Sequence, residues 1–210
     1  MHRKYTFTSA DGQDMTAEIT RFVEITGLDA VAPERYSMLL VMGLFGGFKS
    51  GMLNPAKVVH EIRALEGGEP SRLKPPIQNK HPPLKGLWHK HYLEDGIRAV
   101  ATNVEKGLKR YGIPYFQQKI DEAREAGEER FMTADDLTAI ANEVVHGHWQ
   151  TLAENEALTG EWLVYAEHEG KKYYLCLATH DRQHHDSLRR QIDDVCCVEF
   201  PFLTGLLENA

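Results

Sequence analysis

The sequence predicts an α+β fold in which a helical N-terminal two-thirds packs on a small, mainly antiparallel C-terminal sheet. The chain has 210 residues, 42% hydrophobic and 26% charged, which is enough to bury a core. Apolar residues recur at helical spacing before about residue 160, and runs of aromatic and branched residues follow. We therefore expect a single domain over 1–210, with a helical part over about 1–159 and a β-rich part over about 160–203.

The first 70 residues carry the signals of one strand and three helices. Asp14 is an expected N-cap, Gly27 an expected helix end, and Pro55 occupies a favoured first helical position. The expected elements are a strand over 4–8, a helix over 14–27, a helix after Pro33 that carries 36–44, and a helix over 55–66. Their apolar residues are expected to form core.

The middle of the chain begins with a proline-rich segment over 69–86, for which we expect a loop because proline fixes φ and lacks an amide donor. Helices are expected over 92–111 and 114–126. A third helix, capped by Thr133 with Asp136 as the acid of a capping box, is expected to end near Gly160. Two apolar stripes are expected to face the core: Ile97, Val100, Val104 and Leu108 in the first helix, and Leu137, Ile140, Ala141, Val144, Val145 and Leu152 in the third.

After Gly160 the pattern predicts a β-hairpin with strands over 161–167 and 172–179, joined by a turn at 168–171. A short polar helix over 186–193 and a last strand over 195–200 are expected to follow. This gives a three-stranded sheet that the N-terminal strand is able to extend, with helices stacked on one face.

Composition and cysteine usage indicate the compartment. The longest apolar stretch, 38–48, contains three glycines and falls short of the roughly 20 residues that span a bilayer. The N-terminus lacks the apolar segment of a secretory signal. Cys176 and the adjacent pair Cys196 and Cys197 do not form the even-numbered pattern of a disulfide framework, and they are expected to be free. We therefore expect a cytoplasmic protein that does not enter a membrane.

A basic segment lies between Ser71 and His91. It carries +5 and no acid, so the rest of the chain carries −12 when the whole carries −7. Such a segment attracts phosphate oxygens, and the rings of Trp88 and Tyr92 offer surfaces on which a base can stack, so RNA or a nucleotide is the expected ligand. The alternative is that the lysines are solvated and Trp88 anchors the loop in the core. The cations are Arg72, Lys74, Lys80, Lys85 and Lys90, of which Lys85 and Lys90 are the expected phosphate contacts.

Seven of the eleven histidines fall in three short groups, at 89 and 91, at 146 and 148, and at 180, 184 and 185. On an extended backbone His89 and His91 project to the same face. One imidazole is then able to take the proton of a ribose 2′-hydroxyl while the other protonates the leaving oxygen. The sequence thus predicts metal-independent RNA cleavage by His89 and His91, with His180 as a secondary candidate.

Two other functions are compatible with the same residues. His89, His91 and His148 could hold a zinc ion with an open position for water, which is the arrangement of a metal-dependent hydrolase. His148 is otherwise a core histidine bonded to a backbone carbonyl. The third hypothesis is a non-catalytic binding or inhibitor module that contacts a protein partner while its histidines secure the fold.

Two strings, PPLKGLWHKHY over 82–92 and YYLCL over 173–177 followed by EFPFL over 199–203, resemble a family of uncharacterised bacterial proteins. The resemblance covers the C-terminal part of the chain, from about residue 82, and implies no particular activity. A helical front half followed by a small antiparallel sheet also resembles the layout of small bacterial ribonuclease toxins. That likeness concerns the fold alone and assigns no catalytic residue.

Overall fold

The computed structural model describes residues 6–94, 96–129 and 131–209 and confirms the α+β class. The described residues form two compact units. One consists of 72–74 and 96–159, and the other, called here the first unit, contains the remaining residues. The expectation of a single domain stays a prediction. No helix within the described ranges is long and apolar enough to cross a membrane.

The first unit is built on a four-stranded antiparallel sheet with the strand order β1-β2-β3-β4. The predicted hairpin is confirmed, and Glu169 and Gly170 both have positive φ, as a tight two-residue hairpin turn requires. The proline-rich segment contributes the short edge strand. The bounds are β1 Ile77–Gln78, β2 Trp88–Tyr92, β3 Glu161–His168 and β4 Lys171–Ala178.

Four helices from the start of the chain pack on one face of this sheet. Gly27 ends the first helix in the left-handed region, with φ of 70°. Ser37 caps the third by accepting the amide of Leu40, and Asn54 caps the fourth. Their buried residues share a core with Tyr165 and Tyr174 of the sheet. The bounds are α1 Thr16–Thr26, α2 Leu28–Val31, α3 Met38–Lys49 and α4 Pro55–Leu65.

The N-terminal strand expected over 4–8 is only partly within the described residues. Residues 4 and 5 lie outside them, and Thr8 makes an isolated antiparallel bridge with Asp14. In the described range this segment does not pair with the sheet, because its bridge closes the local turn around Gly12 instead.

The C-terminal segment covers the other face of the sheet, and here the predicted strand over 195–200 is wrong. The polar helix continues through this region, so that Ile192 and Cys196, one turn apart, are both buried against Leu175 and Cys176. The branched residues that suggested a strand lie on a helix because this packing outweighs their β-propensity. The bounds are α9 His185–Gln191, a π-helical turn Ile192–Cys196, α10 Cys197–Glu199 and α11 Phe202–Glu208.

The second unit is helical. Thr133 and Asp136 form the predicted capping box, but the helix that they start contains a π-helical turn before His148. Few side chains in this unit are buried, and among them are Asn103, His148, Leu152 and Leu158. The bounds are α5 Ile97–Tyr111, α6 Pro114–Ala126, α7 Ala134–Asn142, the π-helical turn Glu143–Gly147 and α8 His148–Glu154.

The stripe expected to bury α5 is largely exposed: Ile97 is 89% exposed and Leu108 is 40% exposed. The helix instead buries a side formed by Ala99, Asn103 and Gly107. A Cβ on Gly107 would lie 2.5 Å from that of His148, so α5 and α8 approach too closely for a larger residue. The side of α5 that packs against α8 is therefore the side with small residues, not the most apolar side.

Candidate functional site

The two faces of β2 carry different chemistry. Because successive residues of a strand alternate between faces, His89 and His91 share one face, while Trp88, Lys90 and Tyr92 share the other. The ring centroids of His89 and His91 are 5.5 Å apart. The sequence Trp-His-Lys-His-Tyr thus separates the imidazoles from the lysine and the aromatic rings.

Two further histidines and a tryptophan join His89 and His91. Trp162, opposite His91 on β3, stacks on His89 with ring centroids 4.0 Å apart. The ring of His180 stacks on that of His91 at 5.2 Å. The ring of Trp162 lies 5.0 Å from that of His180 and 5.2 Å from that of His185. We call these five residues the imidazole cluster: His89, His91, Trp162, His180 and His185.

The carbonyl oxygen of Gly160 orients two of these rings. It lies 2.7 Å from Nδ1 of His91 and 2.7 Å from Nε2 of His180. The amide nitrogen of Gly160 also lies 3.5 Å from Nδ1 of His91, but the contact with the carbonyl oxygen is much shorter. Because a carbonyl only accepts, both of these ring nitrogens carry hydrogen and donate. In the neutral rings the lone pair therefore lies on Nε2 of His91 and on Nδ1 of His180. One backbone atom fixes the tautomers of both imidazoles.

The other two imidazoles are held in the same way. Asn79 donates its amide to the carbonyl of Leu87, so its Oδ1 faces His89, whose Nδ1 lies 2.9 Å away and donates to it. His185 donates from Nε2 to the carbonyl of Thr179 at 3.0 Å. Each imidazole of the cluster is thus positioned by a fixed oxygen.

Of the four imidazoles in the cluster, that of His180 is the exposed one, and the ring of Trp162 is half-buried. His89 and His91 are 6% and 2% exposed, whereas His180 is exposed. A pocket of about 230 Å³ lies beside His185, between the end of β4 and α9, and Thr179 and Ser187 are among the residues that line it. A solvent-borne molecule therefore meets His180 first.

Trp162 contributes a polar atom as well as its ring. Its Nε1 is buried and finds no hydrogen-bond acceptor among the residues that the structure describes. An unsatisfied buried donor costs on the order of 1–3 kcal/mol. An acceptor on a bound molecule would remove that cost, which makes the indole N–H a candidate contact for a ligand.

The structure corrects the expected role of Lys90 as a phosphate contact. Its side chain is buried on the opposite face of β2, and its Nζ lies 3.4 Å from Oε2 of Glu61 on α4, close enough for an ion pair but not aligned as a hydrogen bond. The alternation of the strand sends this side chain away from the histidines. Lys85 differs, because it is exposed.

Trp88 and Tyr92 share the face of Lys90, so they do not adjoin the imidazole cluster as stacking surfaces. Trp88 is half-buried and stacks on Tyr165 with centroids 6.3 Å apart. Tyr92 is 4% exposed, and burial raises the pKa of its hydroxyl. Both rings pack with the helices of the first unit, which is the core role weighed as the alternative for Trp88.

The loop between β1 and β2 is anchored next to the cluster. Leu84 and Leu87 are buried in the core on this side of the sheet, and Arg189 on α9 donates to the carbonyl of Pro83 at 2.8 Å. These contacts hold the exposed Lys85 on an ordered loop. The basic segment is thus fixed in place by apolar side chains between its cations.

His148 belongs to the second unit, where it is 3% exposed and its ring lies 5.8 Å from that of Tyr111. Both ring nitrogens, and the hydroxyl of Tyr111, lack hydrogen-bond partners within the described part of the chain. The expected bond to a backbone carbonyl is absent there, because Gly107 brings α5 against the ring. Within the same described ranges, no three His, Cys, Asp or Glu side chains are grouped as a metal site would require.

Sequence reasoning missed four residues of this site: Asn79, Gly160, Trp162 and His185. Gly160 carried a weak signal as an expected helix end, but its need for glycine comes from tertiary structure, since a Cβ there would lie 1.9 Å from the carbonyl oxygen of Tyr92. The hydrogen-bonding role of Asn79 likewise depends on strand pairing. His185 stood in a histidine-rich turn but had no spacing that separated it from His184.

No protein-family model matches this chain, and no curated protein or solved structure is significantly similar to it. The resemblance of its two sequence strings to a bacterial family stays an expectation. Function is therefore argued from the residues of the imidazole cluster.

Proposed function

We propose that this protein is a phosphodiester-cleaving enzyme, a toxin-like, metal-independent ribonuclease that acts on RNA in the cytoplasm. The observation that carries the proposal is the stacked pair of His91 and His180 on the Gly160 carbonyl. This pair has one exposed and one buried imidazole with fixed tautomers. Imidazole is the side chain best suited to proton transfer near neutral pH.

The exposed ring of His180 is the substrate-contacting base. Its Nδ1 lone pair takes the proton of a ribose 2′-hydroxyl, and the resulting oxygen attacks the adjacent phosphorus. The bond to the 5′-oxygen breaks, and that oxygen takes a proton from the imidazolium of His91. The products are a 2′,3′-cyclic phosphate and a free 5′-hydroxyl, so no other reactant is needed. His89, stacked on Trp162, positions the pair.

Lys85 supplies positive charge to the phosphate in this mechanism. It is exposed on the anchored loop that precedes β2, and a cation near the phosphorus stabilises the charge that develops in the transition state. Lys90 has no part in this step, because it is buried with Glu61.

The proposal is tested by comparing RNA cleavage by the wild type with that by His180→Gln and His91→Gln. Loss of a general acid or base lowers rates by about 10²- to 10⁴-fold. His146→Gln is the matched control, since His146 is exposed and lies in the second unit. If both cluster variants stay folded and cleave as the wild type does, the proposed mechanism is wrong.

The same preparations discriminate between this mechanism and the two other hypotheses. Zinc bound at a 1:1 ratio, with activity lost to a chelator, would favour the zinc-dependent hydrolase that uses His89, His91 and His148. A folded wild type that cleaves no RNA but captures a protein partner would favour the binding or inhibitor module. Metal analysis and cleavage assays on one sample give these outcomes directly.

A further inference from the structure

A second group of cations lies on α5, in the second unit. Lys106, Lys109 and Arg110 line an open pocket of about 460 Å³ together with Thr102 and Glu105. These positions are three or four residues apart, so their side chains share one side of the helix. The imidazole cluster, in the first unit, contains none of them.

Lys106 is held in place by the end of the helical segment. Its Nζ donates to the carbonyl of Ala157. Beside it, Leu73 forms a parallel bridge with Leu158, and the amide of Lys74 donates to the carbonyl of Leu158 at 3.2 Å. The start of the basic segment is thereby brought next to α5, which the sequence did not indicate.

The cations around this pocket are close enough to repel one another electrostatically. Burial lowers the pKa of Lys106, and the nearby charges of Lys74 and Arg110 lower it further. Glu105, the acid in the pocket wall, is already paired with Lys109 at 2.5 Å. Among the described residues, no carboxylate lies within ion-pair distance of Lys106 or Arg110. The charges of Lys106 and Arg110 are therefore not neutralised by an acid of the described chain, whereas that of Lys109 is paired with Glu105.

We propose that this pocket binds the phosphate backbone of single-stranded RNA, an inference that rests on the proposed function for the identity of its ligand. Thr102, Lys106 and Arg110 are successive i, i+4 positions, so their donors extend over about 12 Å at 1.5 Å per residue. A line of donors of that length matches consecutive phosphates of an extended strand better than it matches one ion. Lys109 adds a further cation on the same side.

The test measures binding of a fluorescent 2′-O-methyl oligoribonucleotide, which cannot be cleaved, by anisotropy at several salt concentrations. For single strands, the slope of log K against log salt changes by about 0.7 for each phosphate contact. We expect Lys106→Gln with Arg110→Gln, which removes the two cations of the pocket that are not paired with an acid in the described part of the chain, to lower affinity at least about tenfold at low salt and to reduce the slope by about 1.4.

The control variant also removes two positive charges, but from α6, the next helix along the chain. Lys119→Gln with Arg124→Gln on α6 eliminates two cations that are paired with Glu122 and Asp121. It should leave the slope nearly unchanged. Equal effects of the two pairs, or no effect of the α5 pair, would overturn the inference. Both double variants use exposed or half-exposed side chains, so circular dichroism should report the wild-type fold.

Competition and cleavage measurements distinguish the remaining outcomes. Displacement of the strand by millimolar inorganic phosphate, with the same dependence on Arg110, would mean that the pocket takes a free phosphate and would overturn the strand assignment. RNA cleavage together with an unchanged slope in the α5 variant would overturn this inference alone. A reduced slope in a protein without cleavage activity would support the RNA-binding pocket and reject the proposed nuclease.

Discussion

Gly160 is the residue on which the candidate site depends most closely. Its carbonyl accepts from both His91 and His180, and its α-carbon lies against the carbonyl of Tyr92. Any side chain at this position would push β2 away from the chain that enters β3. The geometry of the imidazole pair and the pairing of the strands therefore depend on the same small residue.

We predict that Gly160→Ala destabilises the protein by about 3 kcal/mol, at the upper end for overpacking, because the added Cβ would lie 1.9 Å from a backbone oxygen that cannot move alone. RNA cleavage should fall with it, since the shared acceptor moves. Chemical denaturation and cleavage assays measure the two effects.

The matched control for this substitution is Gly205→Ala in α11. A Cβ there meets nothing within 4 Å, and alanine favours a helix interior, so stability should be unchanged or slightly higher. If Gly160→Ala proved as stable as Gly205→Ala, the close approach to Tyr92 would be refuted.

Single residues also show which parts of the site were readable from the sequence. The alternation of β2 makes His89 and His91 share a face once the segment is known to be extended, and that condition was part of the original hypothesis. The same alternation places Lys90 on the opposite face from the two histidines. Its partner on that face, Glu61, is 29 positions earlier in the chain, so the pairing was not readable from the local sequence. Contacts of that kind carry no local signal.

At the level of secondary-structure elements, capping residues predicted α7 correctly but not α1, whose N-cap is Met15 rather than the expected Asp14. Thr133 and Asp136 define the start of α7 through short-range hydrogen bonds that any sequence window contains. The buried side of α5 was not predictable in this way. The expected stripe of α5 is more hydrophobic than the side formed by Ala99, Asn103 and Gly107. That second side is buried because its small residues allow α8 to approach closely.

The capping box gives α7 a predictable response to acid. Hydrogen bonds from the hydroxyl and amide of Thr133, and then from the hydroxyl of Tyr115, lower the pKa of Asp136 to about 2. A carboxylate whose folded pKa is below its unfolded value of 3.8 stabilises the fold above about pH 4, and this stabilisation is lost as the pH falls through 2. Asp136→Ala should therefore lower Tm at pH 7, and the gap to the wild type should narrow between pH 4 and pH 2.

Thermal unfolding followed by circular dichroism across this pH range measures the gap. Asp135→Ala is the comparison, because Asp135 lies in the same first turn and is exposed but does not form the capping box. A gap for Asp136→Ala that stays constant down to pH 2 would show that its ionised form contributes nothing to the fold.

Across the whole molecule, burial is uneven between the two units. In the first unit, both faces of the sheet are covered by buried apolar side chains. In the second, α6 and α7 contain no fully buried residue among those described, and Phe131 and Leu137 are 94% and 58% exposed. The α+β class was predictable because hydrophobic periodicity changes along the chain. The division into two units was not predictable, because residues 72–74 belong to the same unit as residues 96–159, which lie well beyond them in the sequence.

Native-state hydrogen exchange should reveal this difference. Local opening costs little where few apolar contacts are broken. We predict that amides of α6 and α7 exchange at least about tenfold faster than those of β3 and β4, a difference in opening free energy of about 1.4 kcal/mol or more. Mass spectrometry of peptides from each element measures this on the intact chain. Uniform protection across both units would contradict it.

The alternation of β2 has a consequence for how the sheet chooses its pairing. A slip of one residue against β3 would turn every side chain of β2 to the opposite face. The ammonium group of Lys90 would then lie among the rings of the imidazole cluster, while the buried carboxylate of Glu61 would lose the cation beside it. The slipped register is therefore disfavoured by electrostatics as well as by the loss of apolar packing.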